Sequence, residues 1–252
     1  WKKHRQSIVT FRRIGGIYMK ASMTGFDVRA VSQELDSWAG AYVKKAYMPH
    51  YEQIVLRINP KESDQFDLVI VRGQRVYTSQ RDRPMPMTPP PFAMVLRKHL
   101  KNARLTGVEQ LGFDRVLLFR FDTKHGKRSL SVELFRDGNV ILMDEEDIII
   151  QPLTHASYAG RTIKKGEVYI PPPAAVDPYT LTPDVIKDIF SDSDRDLVST
   201  LGGKINLGGV YANAVCNHAG LEPNSPCEDA DASVIHASLT YFLDELKTSK
   251  QG

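Results

Sequence analysis

The chain has 252 residues, 42% hydrophobic and 25% charged, an ordinary balance for a soluble globular protein with room for one large domain or two small ones. Its longest purely apolar stretches are far too short to span a membrane, no secretory signal is read, and two cysteines, Cys216 and Cys227, exclude a disulfide framework and suit a reducing, cytoplasmic setting. The net charge of +3 excludes nothing by itself: Lys2, Lys3, Arg5, Arg12, Arg13 and Lys20 meet no acid within residues 1–26, and the remainder carries 27 basic against 30 acidic residues. A case for a nucleic-acid partner must therefore rest on local patches.

Residues 1–18 read as a basic N-terminal extension broken at Gly15-Gly16: a flexible arm, a transit-like segment or translated upstream sequence, with Met19 as the expected native initiator. Thr24-Gly25-Phe26-Asp27 reads as a helix start, with Thr24 at the N-cap and Asp27 three residues on. Val28, Val31 and Leu35 give that helix its apolar face, and Gly40 a stop. Tyr51–Ile58 alternates as a strand, and Leu68–Val71 pairs with Arg75–Thr78 through Gly73-Gln74. Pro84–Pro91 is a stiff, extended run that leads into a helix with Pro91 in its first turn. Phe92, Val95, Leu96 and Leu100 form that helix's apolar face. Arg97, Lys101 and Arg104 fall on the other side, with Lys98 at the margin and no acid between them.

Two more strands, Leu105–Leu111 and Val116–Phe121, flank the turn Gly112–Arg115. Ser129–Phe135 and Asn139–Met143 flank Asp137-Gly138, a hairpin signal in which glycine is expected to take the positive φ. The acidic run Asp144–Asp147 reads as a solvated loop. The whole predicts an α+β domain, mostly antiparallel strands with packed helices, over residues 19–150. A Pro/Gly-rich connector is expected over 151–180 and a small helical domain over 181–252. There Thr182-Pro183-Asp184 supplies a cap, a first-turn proline and a dipole-favoured acid. A short helix near Leu197, the turn Gly202-Gly203, a helix over Leu207–His218 stopped by Gly220, and an amphipathic helix over Ala232–Lys247 follow. Helices joined by glycine turns resemble helix-hairpin-helix modules, which hold nucleic-acid backbones by peptide N–H groups; generic helical packing is the other reading.

No phosphate-binding Walker loop, no Gly-x-Ser-x-Gly elbow and no His-Glu-x-x-His is present, so no cofactor and no catalytic group is expected. Cys216, His218, Cys227 and His236 do not have metal-ligand spacing, because residues two apart on a helix point in different directions. The polar residues singled out are Asp27, Asp114 and Arg115. Capping alone accounts for Asp27, and turn formation for Asp114. The functional alternative is a surface turn whose arginine fork meets phosphate or guanine while the aspartate holds the arginine or accepts from base amino groups.

Met19-Lys-Ala-Ser-Met-Thr-Gly-Phe-Asp-Val-Arg-Ala-Val, Pro89-Pro-Pro-Phe-Ala-Met-Val-Leu-Arg-Lys-His-Leu and Gly112-Phe-Asp-Arg resemble the N-terminal region of the NFACT family. Gly166-Glu-Val-Tyr-Ile-Pro-Pro-Pro and Leu207-Gly-Gly-Val-Tyr-Ala-Asn-Ala-Val-Cys resemble its later parts, including a helix-hairpin-helix segment. The resemblance runs from Met19 to the C-terminus. It implies an N-terminal fold similar to that of formamidopyrimidine-DNA glycosylases and a role in ribosome-associated quality control. Such proteins bind a large ribosomal subunit that still carries peptidyl-tRNA and recruit charged tRNA, so that the stalled chain gains a C-terminal tail. The ribosome makes the peptide bonds, so a non-catalytic adaptor is implied, with tRNA and the large subunit as partners and no membrane or small-molecule substrate. Asp27 and the pair Asp114-Arg115 match the family's tRNA-linked positions; Arg29, Arg97, Lys98, Lys101 and Arg104 complete the expected tRNA-binding set. Family members continue into coiled coils and an RNA-binding domain, so a truncated piece is expected. The alternative is a DNA-repair glycosylase or lyase, although the N-terminal proline nucleophile of those enzymes has no match.

Overall fold

The computed structural model describes residues 12–13, 16–17, 22–173 and 176–248. From the basic extension it describes β1 (Arg12–Arg13) and β2 (Gly16–Ile17), paired antiparallel; the rest of residues 1–21, Met19 included, lies outside the described residues. Two compact units follow. One takes in Asp27–Leu111 and Arg115–Pro172, the other Thr24–Phe26 and Gly112–Asp114 together with the chain from Pro173 onward.

In the sheet unit, α1 (Gly25–Asp36) begins one residue after Thr24 and buries Val28 and Leu35, as its spacing requires. The strand after it, β3 (Tyr42–His50), has no clean sequence signal. Its register shifts between Val43 and Lys45, so the apolar alternation slips and two lysines stand side by side. The expected meander comes next as β4 (Gln53–Asn59), β5 (Phe66–Val71) and β6 (Arg75–Ser79). Helix α2 (Pro91–Leu100) buries Phe92, Ala93, Leu96 and Leu100.

The cationic stripe is shorter than the spacing suggested. Lys101 is the C-cap of α2, Asn102 turns left-handed with φ 59, and Arg104 opens β7 (Arg104–Gln110). Asparagine tolerates that conformation, and two main-chain bonds, Asn102 N–H to Val43 O (2.8 Å) and Val43 N–H to Ala103 O (2.9 Å), fix the exit to β3. Arg104 therefore belongs to a strand, where it pairs with Asp122 at 3.0 Å.

Strands β8 (Val116–Thr123), β9 (Gly126–Glu133), β10 (Val140–Met143) and β11 (Ile149–Pro152) complete a nine-stranded sheet. Every pairing is antiparallel, in the order β11-β10-β9-β8-β7-β3-β4-β5-β6. At the β9–β10 turn it is Asp137, not Gly138, that takes the positive φ (62°). Gly138 is needed for close approach, since a Cβ there would lie 2.0 Å from the Glu133 carbonyl oxygen. The expected connector is ordered in part: β11 runs into it, and β12 (Ala156–Tyr158) pairs with β13 (Arg161–Ile163). The fold class is α+β, mostly antiparallel.

The β3–β7 join is a single ladder pair, Tyr42 with Arg104, and side chains from both halves of the sheet share one core with α1 and α2. A second cluster, Leu118, Ile141, Met143, Ile149, Ile163 and Tyr169, lies around β10 and β13. Beside it Glu133, fully buried, takes two hydrogen bonds from Arg161 (2.5 and 3.1 Å) and one from the Tyr169 hydroxyl (3.1 Å).

The helical unit contains α3 (Pro183–Ser191), α4 (Leu197–Gly203), α5 (Gly208–Ala219) and α6 (Ala232–Thr248). Thr182 caps α3 through the Val185 N–H, and Gly220 closes α5 with φ 69. Helices α4 and α5 form a hairpin through Lys204–Leu207, with Asn206 left-handed at φ 59. Their core holds Leu197, Leu201, Tyr211, Val215, Ile235 and Leu239, and with them Phe26 and Phe113. Among the described residues no helix is long and apolar enough to cross a membrane.

Candidate nucleic-acid interface

The same tripeptide occurs twice, Gly25-Phe26-Asp27 and Gly112-Phe113-Asp114, and in each the phenylalanine is a structural anchor. The two rings meet edge to face at 4.8 Å, and Phe26 also lies 4.7 Å from Tyr211. Gly25 is required by this contact, because a Cβ there would come within 2.8 Å of the Phe113 ring. Asn206 in the α4–α5 turn donates to the Phe113 carbonyl oxygen at 2.8 Å. Part of the turn that resembles a helix-hairpin-helix loop is thus engaged by the chain itself.

Each anchor is followed by an aspartate that stays half-buried, Asp27 in the first turn of α1 and Asp114 in the β7–β8 turn. Arg115 is half-buried too. Its carbonyl oxygen accepts from Leu134 N–H at 2.7 Å, which pins the main chain at the entry to β8. Arg29 Nε donates to Gln110 Oε1 at 3.2 Å, which sets the start of α1 beside the end of β7, where the turn carrying Asp114 and Arg115 departs. Within the sheet unit, Asp27 and Arg29 at the start of α1 thus lie beside the end of β7.

Helix α2 does not share that place. The charges bearing on His99 come from Arg128, Lys98, His125 and Lys165, after burial, and together they hold its pKa below the ordinary histidine value. Its cationic end therefore faces the β8–β9 turn, at the Thr123 end of β8, whereas Arg115 precedes the Val116 end. At about 3.3 Å per residue, the strand puts roughly 26 Å between them. The expected tRNA-binding set is thus not gathered in one place. Lys98 and Lys101 are exposed at the cationic end of α2, joined by Lys124, Lys127, Arg128 and Lys165, with Glu145 near Gly126 as an acid at the rim.

Arg97 points elsewhere. Its Nε donates to Ala46 O at 2.7 Å and its guanidinium lies 5.3 Å from the centre of the Tyr47 ring. Lys45 and Arg57 approach the same ring, at 5.3 and 5.1 Å. Arg57 is tied to Asp67 by bonds of 2.9 and 3.3 Å, and that hydrogen bond raises its pKa against the effect of burial. Lys45 and Tyr47 carried no sequence signal because the slip in β3 hid the strand, whereas Arg57 lies on β4, which alternation reveals.

The cysteines and histidines of the helical unit have structural surroundings. Burial pushes the Cys216 thiol up to about 11, Cys227 Sγ meets Thr200 Oγ1 at 3.2 Å, His218 Nδ1 meets Ser238 Oγ at 3.0 Å and His236 Nε2 the Leu181 carbonyl oxygen at 3.0 Å. Among the described residues no three His, Cys, Asp or Glu groups converge as a metal site.

Fold and site together define an α+β protein whose candidate groups are half-exposed carboxylates, guanidinium and ammonium groups. Residues 24–251 match the family described as NFACT N-terminal and middle domains. The archaeal Rqc2 homolog aRqcH of Methanocaldococcus jannaschii is 36% identical to this chain over 246 residues, covering 92% of this chain and 36% of that protein. The human ribosome quality control complex subunit NEMF is 35% identical over 136 residues, 54% of this chain and 12% of that protein. Among solved structures, the N-terminal part of the fibronectin/fibrinogen-binding protein from Streptococcus suis aligns with a TM-score of 0.68 at 27% identity, covering 87% of this chain and 85% of that one. The chain belongs to the NFACT family. It spans about a third of the archaeal relative's length.

Proposed function

We propose that the chain is a non-catalytic RNA-binding adaptor of ribosome quality control, one that seats tRNA at a large ribosomal subunit holding a stalled peptidyl-tRNA. The ribosome itself would add the C-terminal tail. The observation that carries the reading is Arg115, half-buried at the entry to β8, where its carbonyl oxygen accepts from Leu134 N–H. A planar guanidinium on a hydrogen-bonded main chain suits bidentate recognition of phosphate or guanine. The relatives support the setting, since they carry ribosome quality control names and not enzyme names.

The test is tRNA binding by the 252-residue chain, followed by fluorescence anisotropy. Arg115→Ala should weaken binding roughly tenfold or more, the size of one lost bidentate contact, and Arg115→Lys should recover only part of it. Equal affinity for wild type and Arg115→Ala would contradict the assignment.

A further inference from the structure

Around Tyr47 the sheet unit concentrates positive charge that its own acids do not balance. Lys45 and Arg57 are directly opposed across the β3–β4 ladder, a like-charge pairing that destabilises a sheet. Arg97 enters from α2, so three cations lie within 5.3 Å of one ring centre. Arg83 lies 3.8 Å from Asp67, the acid already held by Arg57, and Asp82 acts on Arg57 as the other acid of the cluster. Four cations thus face two carboxylates.

The donors are also underused. Among the described residues Arg97 makes one hydrogen bond, through Nε, and its terminal nitrogens meet no acceptor. Among the described residues the exposed Lys45 ammonium meets the Tyr47 ring and no acceptor, while Arg83 Nε, buried, has Asp67 at 3.8 Å. The π face of Tyr47 gathers cations but cannot neutralise them. A group with several acceptor oxygens and a negative charge would satisfy the Lys45 ammonium and the Arg97 terminal nitrogens and relieve the Lys45–Arg57 repulsion.

We infer that Lys45, Arg57 and Arg97 around Tyr47 form a seat for a phosphodiester of an RNA backbone. The inference rests on the RNA-binding reading above and adds to it a contact that reads no sequence. It gives β3 and α2 one purpose, since both bring cations to the same ring.

The experiment measures tRNA affinity against salt for wild type, Lys45→Gln, Tyr47→Leu and, as a cation of the helical unit, Lys187→Gln. Lys45 is exposed, so its replacement leaves folding intact, which thermal melting checks. Each lost phosphate contact lowers the slope of log affinity against log salt by about one. Lys45→Gln should show that change with a roughly three- to tenfold loss of affinity at moderate salt, Tyr47→Leu a similar loss, and Lys187→Gln neither. Unchanged slope and affinity in Lys45→Gln, with Arg115→Ala still impaired, would overturn the seat alone. No tRNA binding by wild type would overturn the functional reading and the seat with it. In a parallel titration with inorganic phosphate, binding that Lys45→Gln abolishes while tRNA affinity stays constant would mark a free-anion site and overturn the backbone assignment.

Discussion

Two clusters in the sheet unit use the same ingredients to opposite ends. At Glu133, one carboxylate meets one guanidinium, Arg161, with Tyr169 and Ser131 completing the bonds, and the group is sealed. Burial works against the charge on Arg161, and Glu133 outweighs it; burial first and Glu133 next push the Tyr169 hydroxyl upward. At Tyr47 the same kinds of side chain stand half-open with cations in excess. Charge balance with burial marks a structural clasp, here holding β13 to β9. Charge excess with open donors marks a surface awaiting an anion.

The comparison is broken most forcefully at the clasp. Glu133→Ala leaves Arg161 buried without its acid, and such a loss costs about 3–5 kcal/mol. A urea titration should show the midpoint fall accordingly, while tRNA affinity under folding conditions changes little. A clasp variant that keeps its midpoint yet loses tRNA would reverse the roles assigned to the two clusters.

How far the sequence revealed this contrast depends on the length and regularity of each signal. Helices α3, α5 and α6 were legible because Thr182, Gly220 and the apolar spacing agree. Most of the meander was legible from alternation. Strand β3 was not, since a bulge shifts its period, and with it went Lys45 and Tyr47. The sequence does not mark the end of α2, because helical spacing continues formally to Arg104 and the left-handed Asn102 leaves no apolar cue. Asp27, Asp114 and Arg115 stand out in the sequence by their motifs, but the meeting of the Phe26 and Phe113 rings is a long-range contact that no local pattern encodes. The clasp joins residues 28 apart and gave no sign at all.

A smaller effect sharpens the picture at the far end of α2. His99 has its folded pKa lowered, by burial first and then by its cationic neighbours, from a reference of 6.5. The folded chain therefore binds that proton less readily than the unfolded chain, so stability is full above about pH 6.5 and declines as pH falls below it. Urea midpoints measured across this window should fall less steeply for His99→Gln than for wild type. Identical pH profiles would show that the cations of α2 and the β8–β9 turn do not act on His99.

The most direct measurement is amine-reactive footprinting of the wild-type chain with and without tRNA. Bound tRNA should protect Lys45 on β3, while Lys187 in the helical unit keeps its reactivity. Lys45 labelled as fast in the presence of tRNA as in its absence, with protection appearing at Lys187 instead, would contradict an RNA-binding face on the sheet.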